Sequence, residues 1–212
     1  MDIERRSITG DETSEVPTLS VETRCAAEGN KRTEWIVGYA AKFNIRADLG
    51  EFSEQIHPRA FMLVTERRGR KKPLETRALW NHDANFPLAR YPETLSLTVD
   101  EIGLRYEFPV PQTTYGKDVA ENIRSGIIRG SSFAFSIAPG GEEWTQEKGR
   151  SIRTVTTVGS LVDVGPVCYP AYAQANVSVA KRSLDAFRGM SQKELLMRKR
   201  IAEIAEYYKK NG

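Results

Sequence analysis

Cysteine and histidine are scarce in this chain, with two of each among 212 residues. Cys25 and Cys168 are too few and too far apart for a disulfide framework or a zinc knuckle, and they fit a reducing compartment. His57 and His82 are the whole imidazole supply, and neither His-x-x-x-His nor Cys-x-x-Cys occurs, so no catalytic metal is expected. No glycine-rich phosphate cradle of the Gly-x-Gly-x-x-Gly or Walker type is present, which disfavours a nucleotide enzyme and leaves no cofactor expected. Apolar runs are short and interrupted, far below the roughly 20 residues that span a bilayer, so no membrane helix is expected. The opening Met-Asp-Ile-Glu-Arg-Arg has acids where a signal peptide needs an apolar stretch, which argues against secretion. An excess of one charge is lacking too. With 31 basic and 28 acidic side chains, the bulk balance makes no case for nucleic acid, and the basic run Arg67–Lys72 reads as an exposed loop without the aromatic residues that stack bases.

What remains is an ordinary globular balance, 40% hydrophobic plus 16 glycines, in a chain long enough to bury roughly 70% of its unfolded surface. Residues 1–30 hold seven acids against three arginines and few large apolar side chains, which reads as a flexible acidic arm with one edge strand around Val16 to Thr23. From Glu34 the texture turns strand-like, beginning with Trp35 to Phe43. Leu95, Leu97 and Val99 alternate with polar residues, Asp100 to Gly103 can turn, and Leu104, Tyr106 and Phe108 alternate again, as in a hairpin. Between Tyr115 and Arg129, Val119, Ala120, Ile123 and Ile127 recur at helical spacing, with Gly130 as the stop. Phe133, Phe135 and Ile137 then share one strand face, and Ser132, Ala134 and Ser136 the other. Further strands are expected over 151–157 and 158–167. Ser191-Gln-Lys-Glu194 has the capping-box pattern and opens a helix to Lys210. Residues 181–212 carry nine Lys or Arg against four acids, which suits a solvated charged helix or a docking tail for an acidic partner. The expected organisation is an arm over 1–30, a domain over 31–182 and a basic helical tail over 183–212. The expected fold is α+β, with a mostly antiparallel, barrel-like sheet and surrounding helices.

The chemistry narrows to a few side chains. His82, in Leu79-Trp-Asn-His-Asp83, sits where a strand delivers an imidazole to a loop mouth, a place for a general base or for a hydrogen-bonded structural histidine. Ser132 opens a strand just past a helix and its stop glycine, and is either a strand serine or a nucleophile. A hydroxyl becomes a useful nucleophile only when a base takes its proton, and the base needs orienting in turn. Asp163, inside the β-branched run Leu161-Val-Asp-Val164, is costly to bury unpaired and could orient a histidine; an edge position facing water is the alternative. Glu142, Glu143 and Asp83 compete for the same role.

Seven segments in order carry a resemblance: Gly38-Tyr-Ala-Ala-Lys-Phe43, Ile56-His-Pro-Arg-Ala-Phe61, Trp80-Asn-His-Asp83, the turn from Asp100 to Leu104, Gly126-Ile-Ile-Arg-Gly130, Ser132-Phe-Ala-Phe135 and the stretch from Val162 to Tyr172. Together they resemble the tailed-bacteriophage prohead (capsid maturation) protease family over most of residues 35–180. Ala134 and Arg59 stand where that family commonly has glycine. The resemblance implies a serine endopeptidase with a fold similar to herpesvirus assemblin. It would cut scaffold or major capsid protein segments, and its own chain, inside an assembling procapsid in the host cytoplasm. Further copies of the chain are expected partners, with no membrane or nucleic-acid role. The resemblance also implies His82 as base and Ser132 as nucleophile. Assemblin-like enzymes use a second histidine as third member; here Asp163 is the position carried over, with His57 as rival. The other reading, from a different class, is a non-catalytic assembly or scaffold protein that keeps the fold.

Overall fold

A computed structural model of the chain describes residues 3–8, 21–28, 31–65, 75–169 and 177–189, with six further positions between 194 and 204. The chain divides into two units, Met1–Val177 and Ser178–Gly212. Among the described residues, the first unit has thirteen strands. They are β1 (Glu4–Ile8), β2 (Val21–Glu28), β3 (Lys31–Lys42), β4 (Ala47–Asp48), β5 (Phe52–Ile56), β6 (Arg77–Leu79), β7 (Pro87–Arg90), β8 (Ser96–Val99), β9 (Gly103–Pro109), β10 (Gly130–Ile137), β11 (Glu142–Glu147), β12 (Arg150–Val155) and β13 (Val158–Val167). Two described helices accompany them, the single turn α1 (Met62–Thr65) and α2 (Thr114–Arg124).

The strands form three sheets, ordered β1-β10-β13-β6-β7, β11-β12-β5-β4 and β2-β3-β9-β8. Pairing is antiparallel except for β12 with β5 and β13 with β6, which run parallel. The architecture is α+β, but it departs from a single barrel-like sheet, since among the described residues none of the three sheets closes on itself. The two parallel pairings join segments far apart in the chain, so the sheets are not simple meanders.

The alternation read in β10 decides which way the first sheet faces. Phe133 and Phe135 point into the core, stacked at 4.8 Å, and Phe61 meets Phe133 edge-on at 5.9 Å. Each such ring contributes about 2–3 kcal/mol by leaving water. Tyr106 and Phe108 of β9, Val119 and Ile123 of α2, and Val164 of β13 complete the same cluster. The hairpin of β8 and β9 turns where the Asp100 carboxylate accepts the N–H groups of Ile102 and Gly103, and Tyr39 donates its hydroxyl to the same carboxylate at 2.7 Å. Burial, then that bond and the charge of Asp100, push the Tyr39 phenol up to about 12.

Helix α2 begins on Thr113, whose side chain accepts the N–H of Gly116, and it ends at Arg124, five residues before the predicted boundary. Gly126, at φ +77°, terminates it in a Schellman-like closure in which its N–H reaches the Ile123 carbonyl. Ile127 therefore leaves the helical stripe and is 68% exposed. The acidic stretch at the start of the chain supplies two edge strands, β1 and β2; residues 9–20, with most of the edge strand expected around Val16, and the basic loop 67–72 lie outside the described residues.

In the second unit, the helix α3 (Val177–Arg188 in full) was not legible in the sequence, whereas the described positions between 194 and 204 are helical as the capping box implies. No described helix is long and apolar enough to cross a membrane.

Candidate active site

Three neighbouring strands of one sheet bring the site together. β13 lies in the middle, antiparallel to β10 on one side and parallel to β6 on the other. Ser132 of β10 faces Gly165 across the ladder and Ala134 faces Asp163, so the hydroxyl and the carboxylate share the sheet face opposite the phenylalanines. Ser131, on the core side, instead donates to the Tyr106 hydroxyl at 2.8 Å, and burial holds the Tyr106 phenol far above its usual value.

The imidazole arrives from a turn after β6. Asn81 and His82 both have positive φ, +55° and +59°, and the Asp83 N–H bonds to the Trp80 carbonyl at 3.0 Å, the signature of a type I′ turn. Histidine is an unfavourable choice for the second of those positions, where glycine is favoured, so the turn is held from outside. Asn81 does the holding. Its N–H donates to the Pro166 carbonyl at 3.1 Å, its side-chain oxygen accepts the Cys168 N–H at 2.8 Å, and its amide lies 3.6 Å from the Cys168 sulfur. Asp83 caps the next turn by accepting both N–H groups of Asn85. Gly165 matters for packing, since a Cβ there would sit 2.1 Å from the Leu79 carbonyl oxygen. Only glycine lets the end of β6 approach β13 this closely.

The result is a continuous chain of contacts. His82 Nδ1 lies 2.5 Å from Asp163 Oδ1, and His82 Nε2 lies 2.6 Å from Ser132 Oγ. The His82 side chain keeps 14% of its surface and that of Asp163 4%, while Ser132 has no exposed surface. A carboxylate on Nδ1 fixes the tautomer with its proton there, leaving the Nε2 lone pair to accept from the serine. That arrangement can raise the nucleophilicity of a hydroxyl and pass its proton onward, the chemistry of acyl transfer.

The competing groups are engaged elsewhere. Asp83 caps its turn, Glu142 bonds to Arg153 at 2.6 Å, and Glu143 lies exposed on β11. His57 accepts the Arg59 N–H at Nδ1 and so caps its own turn. Sequence reasoning gave no role to Asn81 or Gly165. The dipeptide Asn-His directly after an apolar strand end was the available signal for a turn needing two left-handed residues.

A second polar cluster centres on β12. Arg153 of β12, 2% exposed, forks onto Glu4 of β1 at 2.8 and 2.9 Å, reaches Glu54 of β5 at 2.9 Å and packs over the Trp144 ring. Burial alone would lower the guanidinium pKa, but the bond from Glu4 and the charges of Glu54, Glu4 and Glu142 outweigh it and raise the value.

Such a site, with a hydroxyl, an imidazole and a carboxylate in series on a β-rich framework, belongs to the chemistry of serine hydrolases. The family model described as caudovirus prohead serine protease matches residues 20–189, and the chain belongs to that family, the proteases of bacteriophage capsid maturation. Among solved structures, the chain is similar to the bacteriophage T4 capsid assembly protease, gp21, at 14% identity and a TM-score of 0.37, covering 79% of this chain and 99% of that one. No curated protein matches it significantly.

Proposed function

We propose that this chain is a serine endopeptidase that cuts capsid-protein and scaffold segments, and its own chain, within an assembling procapsid. The observation that carries the reading is the double engagement of His82, with Asp163 on one ring nitrogen and Ser132 on the other. Ser132 Oγ attacks the peptide carbonyl as His82 Nε2 takes its proton, and Asp163 holds the Nδ1–H and stabilises the imidazolium. The imidazolium then protonates the leaving amine, an acyl-enzyme remains on Ser132, and His82 activates the water that releases it. The likeness to herpesvirus assemblin belongs to the same proposal, with β10, β13 and β6 as the strands to compare.

Co-expression with the major capsid or scaffold protein of the same phage tests the reading. Wild type should process its partner, and Ser132→Ala should lose on the order of 10⁶-fold in rate, the scale of nucleophile loss in serine proteases. Equal processing by both would end the proposal.

A further inference from the structure

Strand β1 occupies a distinctive position. Among the described residues it pairs antiparallel with β10 alone, at the edge of the sheet, in a register that places Ser7 opposite Ser132 and Glu4 opposite Phe135. Ser132 therefore has β13 on one flank and β1 on the other, and it has no exposed surface. A hydroxyl enclosed in this way cannot meet an incoming peptide carbonyl until something beside it moves.

The neighbours of Ser132 differ in how they are held. β13 is a ten-residue central strand with partners on both sides and the core beneath it. β1 is five residues long, and among the described residues it is hydrogen-bonded to one strand, β10, while also lying against β3. Its described buried anchor is Glu4, through the fork onto Arg153. That anchor can be released without stranding a buried charge. When Glu4 leaves, Arg153 still has Glu54 at 2.9 Å and Glu142 at 2.6 Å, and Glu4 returns to water. Three carboxylates on one guanidinium are two more than its single positive charge needs, so departure of the first also relieves repulsion among the acids. Once β1 is gone, the N–H and C=O groups of β10 beside Ser132 form an open edge, the template on which an extended peptide adds as a strand.

We propose that the β10 edge beside Ser132 is a strand-addition surface which the chain's own residues 4–8 fill, so that an extended peptide must displace β1 to reach the hydroxyl. The inference rests on the proteolytic reading for its meaning but not for its measurement, because strand exchange can be followed without turnover. It makes the first strand a competitive occupant of the site, with Glu4 and Arg153 as its latch.

The test uses a fluorescent peptide of residues 2–9, the full chain and a variant lacking residues 1–8. The peptide should bind the shortened chain at least about tenfold more tightly than the full one, because only there is the edge vacant. Equal binding to both, or to neither, overturns the proposal. Should the shortened chain fail to fold, Glu4→Ala in the full chain gives an independent reading by hydrogen exchange. Amides of β10 that point toward β1 should exchange about tenfold faster while those bonded to β13 keep their protection. Unchanged exchange, or a uniform rise through β10 and β13, overturns it. In parallel, a fluorophosphonate serine probe should label Ser132 faster in Glu4→Ala than in wild type, and equal labelling rates count against the latch. Labelling of neither protein, with the exchange result as expected, would sink the proteolytic reading and leave the strand surface standing.

Discussion

Replacing Asp163 by asparagine separates the chemistry of the site from its architecture. The side chain is nearly isosteric and 4% exposed, so β13 and the core behind it should stay in place. What changes is the direction of one hydrogen bond. The carboxylate accepts from His82 Nδ1 across 2.5 Å, which leaves Nε2 unprotonated toward Ser132 at 2.6 Å. An amide that turns its NH₂ group to Nδ1 favours the opposite tautomer and points an N–H at the serine oxygen, where nothing can then accept the hydroxyl proton. The same change in a Ser-His-Asp triad elsewhere costs about 10⁴-fold in kcat, which at 1.36 kcal/mol per decade is about 5.4 kcal/mol of transition-state stabilisation. The assay is single-turnover cleavage of a capsid-derived peptide, alongside the ¹⁵N chemical shifts of His82 and a thermal melt. We expect kcat to fall by about four decades, the ring nitrogens to exchange protonation, and the melt to move by only a few degrees. A folded Asp163→Asn protein that keeps activity within about tenfold of wild type would refute the tautomer argument and remove Asp163 from the mechanism.

Gly165→Ala should perturb the site through the backbone, since the added methyl meets the Leu79 carbonyl and must push β6 and the His82 turn away from β13; a loss of about 2–4 kcal/mol in denaturant unfolding, with peptidase activity falling further than stability, is expected, and a neutral variant would contradict the close approach. Tyr39 supplies a pH signature. Its phenol is raised from 10.0 to about 12 in the folded chain, so its contribution to stability is complete below pH 10 and is lost as pH climbs through that interval; Tyr39→Phe should cost about 1 kcal/mol at neutral pH and flatten the alkaline decline, and an unchanged pH curve would refute the assignment. Deleting residues 183–212 should leave peptide cleavage intact and reduce incorporation into proheads, as a basic docking tail requires; undiminished incorporation would dispose of that role.

How much of this was legible beforehand follows from which interactions are local. The period-2 alternation of Ser132 to Ile137 gave the strand and its two faces, because one face is buried against aromatic residues and the other is lined with small polar ones. The Asp100 turn was visible for the same reason, a local carboxylate serving local N–H groups. The end of α2 was misplaced because Gly126 and Gly130 are both plausible stops, and the choice depends on where Ile128 finds its core. Glu4 looked like one more acid of a solvated arm; what buries it is Arg153, 149 positions away. The pairing of β12 with β5 bridges about a hundred residues and leaves no trace in either segment alone. Among the candidate site residues, the chemical types were readable from the sequence. Choosing among Asp163, Asp83, Glu142, Glu143 and His57 as partner of His82 was not readable from the residues themselves, and only the family resemblance pointed to Asp163, because each answer rests on where the others find hydrogen bonds.

The order of strands in the central sheet also bears on when the enzyme comes into being. His82 and Ser132 leave the ribosome well before Asp163, yet they flank the very strand that carries it, so the nascent polypeptide has no gap-free sheet on which to assemble them until β13 has been synthesised. Under the proposed mechanism, a translating chain is thereby kept from attacking its neighbours, and a truncated product ending ahead of residue 158 is expected to be inert however faithfully its earlier segments had folded.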